Sequence, residues 1–187
     1  NNRIASAYIE TVLQTIEIAK QLSVPILNMH LHSGVWFTLP ERKAYLFKEY
    51  PHEYRKKLIV FREKCTAAIG DADIRITVEN CGDYGRYDFV REGLDVLLQS
   101  PAFALCFDIG HNAGADYTDE QTIMERTQRL CHMHIHDARG RVNHLPLGEG
   151  DVDIVKYLDL AKEHDCRAVL EVKTVAGLRL AVDWLKV

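Results

Sequence analysis

The chain has 187 residues, of which 47% are hydrophobic and 27% charged, with a formal net charge of -4 and an isoelectric point near 6.1. That apolar content excludes a disordered chain, and every apolar run is interrupted well before the about 18 residues that a membrane helix needs. A net acidic chain offers no electrostatic reason to bind nucleic acid or an anionic membrane.

In chain order, a helix is predicted over Arg3–Leu22, where Ile9, Leu13, Ile16, Ala19 and Leu22 recur every three or four positions. Val24–His32 reads as a strand running into Ser33-Gly34, and the loop through Pro40 and Pro51 holds a short helix around Glu41–Glu49. A helix over Glu53–Ile69 carries Leu58, Phe61, Cys65 and Ala68. Ile74–Asn80 is a strand stopped by Gly82, and Phe89–Gln99 a helix ended by Pro101. The pattern then repeats, with a strand over Phe103–Asp108 broken by Gly110 and Gly114, and a helix over Asp119–Leu130 with Asp119 near its N-cap. A strand over His132–His136 leads into a polar loop as far as Gly150. Asp153–His164 is a helix, Arg167–Val172 a strand and Val175–Leu185 the last helix.

Strands separated by helices of ten or more residues require parallel β/α units, and no linker divides residues 1–187. A closed eight-stranded β/α barrel usually needs about 250 residues, so the chain fits an open α/β sheet or the later part of a barrel. No Gly-rich phosphate loop follows any strand, which weakens a nucleotide-binding fold. Cys65, Cys81, Cys106, Cys131 and Cys166 form an odd set without a Cys-x-x-Cys pair, which predicts small buried hydrophobes and a reducing, cytoplasmic compartment. The chain opens Asn1-Asn2-Arg3 without methionine, as a processed chain or a piece of a longer one does. Five strands alone would expose two sheet edges, so preceding strands or a second subunit of a homo-oligomer are expected to cover them.

Alternation along each strand separates an apolar face from an ionisable one. Leu27, Met29 and Leu31 oppose Asn28, His30 and His32; Ile76 and Val78 oppose Thr77 and Glu79; Leu105 and Phe107 oppose Cys106 and Asp108. Met133 and Ile135 oppose His132, His134 and His136, and Leu170 and Val172 oppose Val169 and Glu171. The outermost polar residue stands at the C-terminal end of its strand, the end that carries the active site in β/α barrels. Glu79, Asp108, His134 and Glu171 are thereby expected to converge. Carboxylates and imidazoles without a thiolate suit a hard-to-borderline divalent metal, Mn²⁺, Zn²⁺, Mg²⁺ or Co²⁺.

Five short motifs occur in one order: Val78-Glu79-Asn80, Asp108-Ile109-Gly110-His111, His134-Ile135-His136-Asp137, His144 with Leu147-Gly148-Glu149-Gly150, and Leu170-Glu171-Val172-Lys173. Together they resemble the xylose isomerase-like β/α-barrel superfamily, in particular its sugar phosphate isomerases/epimerases and their relatives, the type IV apurinic endonucleases. The resemblance implies an incomplete TIM-type (β/α) barrel in which about the last five β/α units are present and the first three strands are missing. It implies Glu79, Asp108, His134 and Glu171 as metal ligands, and His111 as a ligand of a second metal or a substrate contact. His30 fits the strand that gives the endonucleases another zinc histidine, with His32 as the rival, and His144 matches the histidine ahead of the Gly-Glu-Gly turn. The endonucleases carry an aspartate where this chain has Val142, and their strand-three histidine has no counterpart here.

The implied activity is isomerisation or epimerisation of a small sugar, sugar phosphate or related hydroxy-carbonyl compound through an enediolate. In it the metal stabilises negative charge while Glu79 and Glu171 act as base and acid from opposite sides. His111 or His136 would orient a substrate hydroxyl. The alternatives are a zinc phosphodiesterase of the endonuclease kind, with Arg139 and Arg141 near DNA, and a degenerate barrel kept for binding. Trp36, Phe37 and Tyr45 read as a substrate lid or a buried plug. Tyr84 and Tyr87 read as packing or surface residues, Lys173 as a contact for an anionic substrate or for a carboxylate, and Glu149 as structural.

Overall fold

The helices form where apolar residues share one side and a terminating residue is at hand. In the computed structural model, which describes residues 2–186, the order opens with α1 (Asn2–Leu22), β1 (Ile26–His30), β2 (Trp36–Thr38), β3 (Lys43–Tyr45), α2 (Leu46–Glu49) and α3 (Pro51–Ile69). It continues with β4 (Arg75–Glu79), α4 (Asp88–Leu98), β5 (Phe103–Asp108), α5 (Ile109–Gly114) and α6 (Glu120–Met124). It closes with β6 (Leu130–Ile135), β7 (Asp137–Arg139), β8 (Val142–Leu145), α7 (Ile154–Glu163), β9 (Arg167–Leu170) and α8 (Val175–Trp184). Residues 1 and 187, the ends of the domain expected over 1–187, lie outside the described residues. Five strands make one sheet in the hydrogen-bonded order β1-β4-β5-β6-β9, and two separate hairpins pair β2 with β3 and β7 with β8.

The chain packs as two compact units. The first holds residues 2–78 and 89–104. Its helices bury Ile16 and Ala19 of α1, Phe61, Cys65 and Ile69 of α3, and Val90, Leu94 and Leu97 of α4. Pro51 starts α3 at a position whose N–H has no helical partner to lose. Phe47 stacks on Tyr54 at 4.4 Å, and α4 approaches that tyrosine through Gly93, where a Cβ would stand 2.3 Å from the hydroxyl.

The second unit holds residues 79–88 and 105–186. Its strands β5, β6 and β9 are parallel, with Asp108 opposite His134 and Ile135 opposite Leu170. Phe107 and Tyr157 of α7 meet edge to face at 5.4 Å in its core. Asp153 caps α7 by accepting from the Lys156 N–H at 3.1 Å, and Thr174 caps α8 by accepting from the Gly177 N–H at 3.0 Å.

Four local expectations are corrected. The helix around Glu41–Glu49 is only Leu46–Glu49, because Trp36–Thr38 and Lys43–Tyr45, rich in aromatic and β-branched residues, pair as a hairpin instead. The break at Gly110 is helical: the Asp108 carboxylate accepts the His111 N–H at 2.6 Å and starts a turn across the glycine. The helix over Asp119–Leu130 stops at Met124, and Leu130 already belongs to β6, paired with Leu105. Asp119 stands at its N-cap position as expected, but its carboxylate accepts from the Gly82 and Gly85 N–H groups at 2.6 and 2.9 Å rather than from the helix. The polar loop before Gly150 contains the β7–β8 hairpin, turned by Gly140 at φ 56°.

Candidate metal centre

All four residues expected to converge belong to the second unit, where the parallel register sets their approach. Asp108 ends β5 directly opposite His134 of β6, Glu79 ends β4, and Glu171 follows β9 with its N–H donated to the Ile135 carbonyl at 3.1 Å. One ligand atom from each of Glu79, Asp108, His134 and Glu171 lies within 4.8 Å of all the others. The His134 Nδ1 stands 3.4 Å from Glu79 Oε2, 3.7 Å from Asp108 Oδ2 and 2.8 Å from Glu171 Oε2. Glu79 is 1% exposed and Asp108 is fully buried.

Several buried groups hold these ligands in place. The Asn80 side chain clamps the backbone of Asp108, its amide donating to the Asp108 carbonyl at 3.0 Å and its carbonyl accepting from the Asp108 N–H at 2.8 Å. The hydroxyl of Tyr84, a wholly buried packing residue, donates to the Glu79 carbonyl at 3.0 Å. Asp137 follows β6 and accepts from four N–H groups, those of Ala138, Gly148, Gly150 and Val152, at 2.8 to 3.0 Å. Reading the sequence for ionisable strand ends missed Asn80, Asp119 and Asp137. Asn80 and Asp137 were signalled by a polar residue beside a strand end with glycines near in sequence, which marks a buried side chain serving backbone groups; Asp119, ahead of α6, carried no such signal.

Three carboxylates packed together repel one another unless positive charge lies among them. Burial works against ionisation of Asp108, yet hydrogen bonding with His134 and His136 outweighs it and holds the carboxyl at about 2. Burial likewise disfavours a charged His134, but its bonds with Asp108, Cys106 and Glu79 push the imidazole up to about 12. His111, bonded to Glu79 and facing Asp108, is also raised. In the metal-free cluster the neighbouring carboxylates thus favour the charged forms of His134 and His111.

The donor set fits a divalent cation. His134 Nδ1 and Glu171 Oε2 are buried and 2.8 Å apart, yet neither makes an aligned hydrogen bond. Three oxygens and one imidazole nitrogen, without thiolate, match Mn²⁺, Zn²⁺, Co²⁺ or Mg²⁺.

The other expected residues belong to several elements of the two units. His111 Nδ1 stands 3.2 Å from Glu79 Oε1 and 3.4 Å from Asp108 Oδ2. His111, His136 and His144 form a second group with nitrogens within 4.8 Å, the His136 and His144 rings stacked at 4.2 Å. His144 also faces the Glu171 carbonyl through Nδ1 at 3.0 Å. His30 and His32 belong to the first unit, where their rings stack at 5.4 Å. Trp36 and Phe37 are exposed on the β2–β3 hairpin and plug no core, while Tyr45 packs beside Phe89. Lys173 and Glu149 are exposed, and Arg139 lies near Asp151. Cys65 and Cys106 are buried as expected, Cys81, Cys131 and Cys166 are only half-buried, and among the described residues no disulfide is formed. No helix among these residues is long and apolar enough to cross a membrane.

A family model described as "Xylose isomerase-like TIM barrel" matches residues 1–187. An uncharacterized protein of Methanocaldococcus jannaschii, MJ1311, is 25% identical over 182 residues, covering 92% of this chain and 58% of its own length. The chain thus spans little more than half of that curated relative. Among solved structures, a D-tagatose 3-epimerase-like protein superposes with a TM-score of 0.74 at 22% identity, covering all of this chain and 70% of its own. The IOLI protein, solved with a bound zinc atom, gives 0.66 at 14% identity and covers 94% and 66%. A D-allulose 3-epimerase from Methylomonas sp., in complex with D-allulose, gives 0.63 at 18% identity and covers 90% and 56%. The fold class is α/β, an incomplete TIM-type barrel with five parallel strands present.

Proposed function

The chain belongs to the family of xylose isomerase-like TIM barrels, and from that premise we propose that it is a metal-dependent isomerase or epimerase of a sugar or sugar phosphate. The observation that carries this reading is the convergence of Glu79, Asp108, His134 and Glu171, with two buried ligand atoms left without a hydrogen bond. These four side chains hold one divalent cation, which when bound supplies Lewis-acid stabilisation of negative charge developing on a hydroxy-carbonyl substrate.

The chain's own residues do the rest. Asp108 and His134 hold position, Asp108 being buried and braced by backbone and side-chain donors. Glu79 and Glu171 take and return the proton at carbon. The Glu171 side chain keeps 41% of its surface exposed although Oε2 is buried, so its carboxylate reaches both the cluster and an incoming substrate. His111, beside Glu79 and 20% exposed, is placed to orient a substrate hydroxyl. A phosphodiesterase of the endonuclease kind needs further zinc ions, and the aspartate expected for one of them is Val142 here.

The sugars named for the neighbours, D-tagatose and D-allulose, are the first substrates to offer. In heavy water with Mn²⁺ or Co²⁺, deuterium should enter the substrate at the carbon next to the carbonyl. Glu79→Gln and Glu171→Gln should each slow that exchange by about 10²–10⁴-fold, the usual worth of a positioned proton-transfer group. Exchange at the parent rate in either variant removes that glutamate from the mechanism.

A further inference from the structure

We infer that His136 is a positioning residue, held in a single tautomer, that aims Asp108 and ties it to the β7–β8 hairpin; the inference rests on the metal reading above. His136 is wholly buried. The His144 backbone N–H lies 2.9 Å from its Nδ1, and a backbone N–H only donates, so that ring nitrogen carries no proton. The Asp137 carbonyl also faces Nδ1, at 3.2 Å, but the shorter N–H contact sets the tautomer. The ring proton is then on Nε2, which stands 3.0 Å from Asp108 Oδ1 and 3.1 Å from Oδ2 and donates to that carboxylate.

The backbone around the ring is shaped for this arrangement. His144 is a non-glycine residue at φ 56°, on the side of the hairpin that carries an extra residue between the Asp137 and Arg139 pairings. On the other side the ring lies against Gly110, where a Cβ would stand 1.9 Å from its Cε1. The Asp108 Oδ1 accepts the His111 N–H, and the His136 hydrogen bond reaches Oδ2, the oxygen that also faces the His111 and His134 Nδ1 atoms. Both His136 nitrogens are engaged, which gives it a different role from the expected contact with substrate or a second metal.

Two measurements test this. In ¹⁵N-labelled protein, the imidazole nitrogens of His136, assigned by their loss in His136→Gln, should show a protonated Nε2 and an unprotonated Nδ1. The opposite tautomer, or an imidazolium, overturns the inference without any variant having to bind metal. In Co²⁺ titrations followed by the visible absorption of the ion, His136→Phe should bind about 10–100-fold more weakly, the usual cost of losing a ligand's hydrogen-bonding partner. His136→Gln, which keeps a donor toward Asp108, should recover most of that loss. A phenylalanine variant that binds like the parent, or a glutamine variant no better than it, also overturns the proposal. A parent that takes up no Co²⁺ overturns the metal reading itself and Asp108's part in it, a result distinct from a wrong tautomer.

Discussion

Asp108 is held from several directions: by the Asn80 amide at its backbone, by the His111 N–H at its carboxylate, and by the His136 ring beside it. A residue so braced has little freedom to turn, which is what a carboxylate needs if it is to meet a cation without paying for reorganisation. The Asn80 clamp is the part of this brace furthest from the chemistry, so its worth is read best as stability. Asn80→Ala leaves the buried N–H and carbonyl of Asp108 without partners, each costing about 1–3 kcal/mol. Urea unfolding of the metal-free protein should show a loss of about 2–4 kcal/mol. Asn80→Asp, which sets a carboxylate against the Asp108 carbonyl, should cost at least as much. A change below about 0.5 kcal/mol in the alanine variant would mean that Asp108 finds other partners.

The elements differ in how openly the sequence declares them. The sheet strands were legible because each alternates apolar and polar residues, and the long helices because their apolar residues recur at helical spacing. The hairpins were not: β2, β3 and β7 have three residues each, too short for alternation to register, and their pairing is decided by contacts across a turn. The turn of α5 was hidden by Gly110, since glycine argues against helix until the Asp108 cap is known. The same division holds for the candidate site. Glu79, Asp108, His134 and Glu171 could be grouped because each stands at a strand's C-terminal end. Asp137 could not, because its partners are amides from a loop that only the fold delivers. Asp137→Asn replaces one accepting oxygen by a donor and strands at least one N–H of the Gly148–Gly150 loop. Amide hydrogen exchange should then accelerate first at Gly148, Gly150 and Val152, ahead of β5 and β6. Unchanged protection there would show that the loop holds itself without the carboxylate.

At the scale of the molecule, the ends of β4, β5, β6 and β9 bring four donor side chains together, all of them within one compact unit. The chain spans 58% of the curated relative and 56 to 70% of the structural neighbours named above. Whatever else those longer proteins contribute, the four ligands proposed here come from residues 79–171 of this chain. The most direct test of that claim is equilibrium binding of Mn²⁺ or Zn²⁺ at neutral pH, with the stoichiometry fixed by elemental analysis of the dialysed complex. The account predicts one ion per chain in the parent and weakened or lost binding in Glu79→Gln, Asp108→Asn and Glu171→Gln. Two or three ions per chain would favour the phosphodiesterase reading, and no ion, or binding indifferent to all three substitutions, would contradict the account.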